Sequence, residues 1–528
     1  MLTALLVVVC AVQLSAGENN THSPLRQKWQ QRAIRESLEP IRPGEPGKRP
    51  FWTQRSAYFI HVPVFPFESV EGAKVYRFTL RSEANGKSYV FEADAPWKPL
   101  TPVWKNLPVG FAHLRVEGLN QKGGVVGLCG ERTIYRGAPF AGPYHTNPPH
   151  TYRESARIAL RHIFDQYAKW RESDQHHPSR YPSKMLGALI EGMVRYARIC
   201  KHGPRAKQAL QMARNAAQCL LRISMPPGSP LEYLPPTYHL RADGSKPDGM
   251  GNTPHIMMCY PVTVADSYLA LHEATKDARY LQAARRIAET YRKTQLPSGS
   301  WPLTAATATG RPTCKNLLVP TGVIDFLHRL EKDHGIVEFK PVREAAFRYL
   351  MERVVKTFNL EGQFEDGGGK APYTNHSYSP ASRIARLLLK HHRDDPKMVE
   401  LALMLVRFAE DQFVVWEQGP TRHPFPERQK HFHKNATTPY AMEQYMCYRP
   451  VSTSAMGMAA TFREVYEATG DRYYLAKARS LANTLVLLQS QSRGHYPTWW
   501  NKGGGAGTWP NCMIGCACLI DDLATACD

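Results

Sequence analysis

Hydrophobic positions recur at helical spacing through most of this chain and at strand spacing in one stretch near its start. From about Thr151 onward twelve segments carry a 3.6-residue period: 151–172, 183–201, 205–223, 261–274, 277–294, 317–330, 341–356, 379–392, 396–412, 453–469, 472–490 and 511–526. Over residues 51–143 the spacing changes to alternation. Val75 to Leu80 places Tyr76, Phe78 and Leu80 on one face and Val75, Arg77 and Thr79 on the other. Tyr89 to Ala93 can pair with it across an Asn85-Gly86 turn. Residues 18–50 are polar and read as a linker.

Two helical pairs read as copies. Tyr268–Gln295 and Phe462–Gln489 align Glu273-Ala274-Thr275 with Glu467-Ala468-Thr469, Asp277 with Asp471, Tyr280-Leu281 with Tyr474-Leu475, and Gln295 with Gln489. Each then reaches a glycine and an aromatic-proline pair, Gly299 with Trp301-Pro302 and Gly494 with Tyr496-Pro497. Repeated helix pairs imply a stacked or closed array. The connections alternate. Thr275-Lys276, His392 to Asp395 and Gly470-Asp471 are short, whereas those after the third, fifth, seventh, ninth and eleventh segments are long. Short links make antiparallel neighbours, so the long loops gather at one end. Six such pairs predict an all-α (α/α)6 toroid over 150–528, with even-numbered helices inside. The long loops then rim a cleft at the N-terminal ends of the inner helices, where helix dipoles favour anions.

Composition adds a compartment and a partner. The 528 residues exceed what one core usually supports, so the chain is multidomain. Leu5 to Val12 is apolar and Ser15-Ala16-Gly17 is small, which predicts a signal peptide over 1–17 and a secreted or periplasmic protein. No internal apolar run reaches the ~18 residues of a membrane span. The net charge of +21 is scattered rather than clustered, which fits an acidic polysaccharide or oligosaccharide better than nucleic acid. Eleven cysteines do not make a disulfide scaffold in a chain this long; Cys512, Cys516 and Cys518 read as core thiols. There is no G-x-S-x-G elbow, P-loop or dinucleotide fingerprint. No metal ligand set is predicted, His431-Phe432-His433 being too isolated for zinc. No cofactor is expected, with calcium left open.

The long loops are rich in Trp, Tyr, His and Gly. Trp301, Trp416, Trp499, Trp500 and Trp509 could stack on sugar faces or could lid the core. Glycoside hydrolysis needs two carboxyl groups flanking the bond. Asp243, Asp248, Glu365, Asp366, Glu417 and Glu443 lie in loops, and Glu410 closes a helix. Asp366 precedes three glycines, and Glu443 lies between two tyrosines beside Arg449. Elimination from a uronate needs a base, a proton donor and a cation over the carboxylate. His255, Tyr260, Tyr373, His376 and Tyr378 could supply the first two, and Arg449, Arg311 or Lys370 the third. Each of these also has a structural reading, as a cap, a loop hydrogen-bonder or a salt bridge.

The stretches EATKDARYLQAARRIAETYRKTQLPSGSWP and EATGDRYYLAKARSLANTL, with the loop ends YPTWW and GTWPN, resemble the carbohydrate-active (α/α)6 toroid group. That group includes unsaturated glucuronyl hydrolases, β-glucuronidases and toroid polysaccharide lyases; N-acylglucosamine epimerases use related toroids. The 51–143 stretch, with Trp97 and Trp104, resembles a fibronectin type III-like β-sandwich. The resemblance implies an enzyme that degrades an acidic, uronate-containing glycan. The expected chemistry is a β-glucuronidase-like hydrolase drawing two carboxylates from Asp366, Glu443, Asp248 and Glu410. The alternatives are a lyase using His and Tyr, and a non-catalytic glycan-binding protein. Substrate binding is expected from Trp301, Trp499, Trp500, Trp509, Tyr378 and Arg449.

Overall fold

The computed structural model describes residues 24–42, 44–47, 52–176, 181–201, 203–238, 255–364, 371–432, 436–446, 448–500 and 508–527. After a first helix α1 (Pro24–Ser37) come strands β1 (Tyr58–Phe59), β2 (Val75–Ser82) and β3 (Ser88–Ala93), the short helix α2 (Thr101–Trp104), and β4 (Gly110–Leu119) and β5 (Val125–Arg136). They form one curled sheet in the order β1-β5-β4-β2-β3. It is antiparallel except where β1 runs parallel to β5. Tyr76, Phe78 and Leu80 are buried on one face, as their alternation predicts. The two-sheet sandwich expected for this stretch is not what forms: the strands make a single sheet, and its apolar face is covered by α2 and the segment around β1. Trp104, wholly buried, donates its indole N–H to the Ile60 carbonyl at 3.1 Å.

The rest is helical: α3 (Tyr152–Gln166), α4 (Pro182–Ile199), α5 (Pro204–Ile223), α6 (Pro261–Thr275), α7 (Ala278–Thr294), α8 (Thr321–His334), α9 (Lys340–Tyr349), α10 (Tyr378–His391), α11 (Pro396–Phe413), α12 (Ser452–Thr469), α13 (Arg472–Gln491) and α14 (Pro510–Cys527). The even-numbered helices α4, α6, α8, α10, α12 and α14 touch in a closed ring, α14 returning to α4. Each of α5, α7, α9, α11 and α13 packs outside the inner helix that precedes it, and α3 packs on α14. The hairpin phase is therefore the predicted one. The five connections expected to be long, and the one from α3 to α4, all enter inner helices at their N-terminal ends.

The repeated letters close the opposite, short-linker end. Thr275 and Thr469 donate back to the carbonyls of Leu271 and Val465 at 2.6 and 2.7 Å. Asp277 and Asp471 then cap the next helices, accepting from the backbone N–H of Arg279 and Tyr473 at 3.0 and 3.1 Å. The turn residues Lys276 and Gly470 adopt positive φ, 60° and 70°. At the far end of each outer helix the two glutamines repeat a clamp. Gln295 donates to the Gly299 carbonyl and Gln489 to the Gly494 carbonyl, at 2.9 and 3.1 Å. Both glycines stand at φ 90° and 85°, a turn that favours glycine.

The stretch read as a linker contains α1, which docks on the ring. Arg32 pairs with Asp471 at 2.6 Å and lies 4.3 Å from the centre of the Tyr473 ring. The segment after β1 is fixed by α11. Asp411, wholly buried, accepts the backbone N–H groups of Ile60 and His61 at 2.7 and 2.6 Å, and Gln412 donates to the Tyr58 carbonyl at 2.8 Å. Sheet and ring are thus joined across a seam by buried hydrogen bonds.

Candidate functional site

Two neighbouring clusters stand at the loop end. In the first, Tyr181 precedes α4 and Trp509 precedes α14; their rings stack at 6.2 Å and 24°. Lys184, in the first turn of α4, holds its Nζ 4.8 Å from the centre of the Trp509 ring. Tyr238 meets Tyr181 at 5.8 Å and His255 at 5.3 Å. His255 opens strand β6 (His255–Met257), which pairs with β7 (Thr304–Ala306) and delivers the chain to Tyr260 and α6. His255, Tyr260 and Trp509 are half-buried. Burial lowers the His255 imidazole below its ordinary range, so the ring is neutral at pH 7.

In the second cluster Tyr378 begins α10, and its backbone N–H reaches the Glu443 carbonyl at 3.4 Å. The Glu443 backbone N–H in turn donates to the Arg449 carbonyl at 3.0 Å, closing a tight loop before α12. The Glu443 carboxylate accepts from the Gln444 amide at 3.1 Å. Tyr378 donates its hydroxyl to the Thr453 carbonyl at 3.1 Å. Burial pushes its phenol up to about 12, with Arg383 opposing and Glu443 adding, so it stays a proton donor. The Arg449 guanidinium lies 5.3 Å from the centre of the half-buried Trp499 ring. Thr498 joins the clusters: its hydroxyl accepts the backbone N–H of Trp509 at 2.9 Å, and Trp499 follows it in the chain.

Other expected site residues lie elsewhere. Asp366 and Asp248 fall outside the described residues. Trp301 and Trp500 are wholly buried and face the core rather than a cleft. Their indoles donate to the Tyr291 carbonyl at 2.8 Å and the Ser452 hydroxyl at 2.6 Å. Trp416 is likewise buried, donating to Glu410 at 3.0 Å. Glu410 sits on an outer helix and is matched by Lys477 of α13 at 2.8 Å, both side chains almost fully buried. It is a structural ion pair, not a catalytic carboxylate. His376 points away from the axis into the seam, among Phe358, Phe408 and Tyr445. Burial, helped by the charge of Arg42, drives it down to about 3. It is a neutral core residue and cannot serve as the base.

A cavity of about 980 Å³ runs along the ring axis, lined by all six inner helices. Asp266 of α6 and Asp325 of α8 both line it. Asp266 keeps 38% side-chain exposure because the void opens on it, yet protein surrounds it. Burial pushes its carboxyl up to about 7, Arg329 opposing and Asp325 adding. Asp325 accepts from Lys390 and His391, each at 2.8 Å. Burial would raise it, but the His391 bond and the Lys390 charge outweigh that and hold it well below the usual carboxylate range. The two carboxyls line one cavity and are shifted in opposite directions. Sequence reasoning missed them because they lie inside helices. The available signal was a lone acid in the apolar start of α6, PVTVADSYLAL, and the Asp521-Asp522 pair in the otherwise uncharged α14. Among the described residues no group of three His, Cys, Asp or Glu gathers as a metal site, and no helix is long and apolar enough to cross a membrane.

No protein-family model matches this sequence, and no curated protein sequence matches it. Solved structures do. A family 76 glycoside hydrolase from a bovine Bacteroides thetaiotaomicron strain aligns at 9% identity and TM-score 0.49, over 90% of this chain and 98% of its own. An unsaturated glucuronyl hydrolase from Streptococcus agalactiae aligns at 10% identity and TM-score 0.45, over 70% and 91%. A cellobiose 2-epimerase from Spirochaeta thermophila aligns at 11% identity and TM-score 0.46, over 69% and 96%. At these scores the likeness is one of general outline. The toroid assignment rests on the closed ring of contacts within this chain.

Proposed function

We propose that this protein is an exported carbohydrate-active enzyme that cleaves an acidic, uronate-containing glycan held across the loop end. The observation that carries the proposal is the pairing of half-exposed rings with cations: Trp509 with Lys184, and Trp499 with Arg449. Such rings stack on the C–H faces of sugars, and the cations meet carboxylates on the same residues. The N-terminal ends of the inner helices add positive potential there. Net charge of +21 favours a polyanion further.

The reaction assigned is hydrolysis. In this reading Glu443 protonates the leaving glycosidic oxygen, and the second carboxylate that hydrolysis requires comes from Asp248 or Asp366. One observation favours the elimination alternative. His255 is neutral and Tyr378 keeps its proton, which are the states a base and a leaving-group donor require. Arg449 would then neutralise the uronate carboxylate.

One experiment separates these. The protein is incubated with a panel of uronate glycans while reducing ends and the ultraviolet absorbance of unsaturated uronate are both followed. New reducing ends without the absorbance are the expected result; Glu443→Gln then lowers turnover by ~100-fold or more. Reducing ends with the absorbance overturn hydrolysis in favour of elimination. Binding with no product leaves a glycan-binding protein.

A further inference from the structure

The axial cavity holds charges in pairs, with two exceptions. Lys390 pairs with Asp325 at 2.8 Å, Arg463 with Glu464 at 2.9 Å, and Arg198 with Asp521 at 2.8 Å. Arg383 and Arg386 of α10 line the same void and make no hydrogen bond or ion pair with any described residue. They are three positions apart, so they share one helix face. Arg386 has its Nε fully enclosed and without a hydrogen-bond partner. Burial lowers its pKa, Glu464 and Asp325 opposing and Arg463 and Arg383 adding. An enclosed N–H without a partner is unfavourable unless a ligand or water completes it. A void of about 980 Å³ has room for more than water.

We propose that the axial cavity is a binding site for a small oxyanion, held by Arg383 and Arg386, separate from the loop-end site. The guanidinium forks suit a carboxylate, sulfate or phosphate equally, so a sugar acid and a free inorganic anion share the chemistry. Asp266 lies across the same void. Its carboxyl, part-protonated at neutral pH, can donate a hydrogen bond to a bound anion rather than repel it. The site does not depend on the glycan reading, because none of its residues belongs to the stacked aromatic clusters.

The test is calorimetric titration of the full chain, in a buffer free of oxyanions, with sodium sulfate, sodium phosphate and sodium glucuronate in turn. At least one probe is expected to bind with one-to-one stoichiometry. Arg383→Gln is expected to weaken it about tenfold and the double change with Arg386→Gln to abolish it, roughly one charge-assisted contact each. Glucuronate binding more tightly than the inorganic ions identifies a sugar acid; the reverse order identifies a free anion, and both support the site. Trp509→Ala should leave the affinity for sulfate and phosphate unchanged. Binding by none of the three, binding that Arg383→Gln does not weaken, or sulfate or phosphate binding lost in Trp509→Ala overturns the proposal. Arg383 is exposed to the void, so its single change keeps the test open if the double variant does not fold.

Discussion

The seam between sheet and ring and the axis of the ring both take charge out of bulk water, and they treat it differently. At the seam the polar groups that tie the sheet to the ring have complements. Asp411 collects two backbone N–H groups, Gln412 spans to Tyr58, and a little further along α11 Glu410 meets Lys477. Along the axis, Arg383 and Arg386 on α10 face a void with no hydrogen bond or ion pair to any described residue. A satisfied buried charge is bound to a single geometry and reads as architecture. An unsatisfied charge that faces open space keeps its capacity to bind, and reads as a site.

The sharpest way to break that contrast is at Lys477. Truncation to Ala leaves Glu410 buried and uncompensated, so Lys477→Ala should lose ~3–5 kcal/mol in urea unfolding. A loss under 1 kcal/mol would mean the seam is as tolerant as the axis. Asp411→Ala comes next. It strips the acceptor from two buried N–H groups, Ile60 and His61, at ~1–3 kcal/mol each. Because those two residues follow β1, detachment of the sheet should precede melting of the ring, and limited proteolysis between 44 and 57 would register it.

His376 gives a smaller, pH-resolved effect. Its folded pKa of about 3 lies below the ordinary 6.5. The folded protein therefore binds fewer protons than the unfolded chain between those values. The contribution is full above pH ~6.5 and is lost as pH falls towards ~3. His376→Phe fits among Phe358, Phe408 and Tyr445 and removes the titration. The stability difference between variant and parent should grow on acidification, by up to ~1.4 kcal/mol per pH unit. A difference flat from pH 4 to 7 would place the ring in water. Comparing variant with parent matters here, because Asp411, raised to about 7, slopes the other way in the parent.

The same contrast explains what could be read from the letters alone. The hairpin phase was legible because its determinants are local: Thr275 and Asp277, Gln295 and Gly299 act within a few residues, and their copies do likewise. The sheet's buried face was legible from alternation in β2, but its closure was not. Whether strands form one layer or two depends on what covers them, here α2 and a segment bound to Asp411. Position in a long loop separated neither Trp301 from Trp509 nor His376 from His255. Orientation is set by distant partners such as the Tyr291 carbonyl and Phe408. The axial charges were hidden for the opposite reason, since a helix interior reads as scaffold.

The smallest expected change is the most telling. Arg383 forms no bond that folding could lose, so Arg383→Gln should shift stability by no more than ~0.5 kcal/mol in either direction. Removing one positive charge beside Arg386 also relieves the repulsion that helps to lower that residue's pKa. Slight stabilisation is therefore the favoured sign. Thermal melting in an oxyanion-free buffer measures it. Adding sulfate should raise the parent's midpoint further than the variant's, the difference being the part that comes from a ligand bound to the folded state. A loss of several kcal/mol in Arg383→Gln would put the axis in the same class as the seam, its arginines architecture and its void merely solvent.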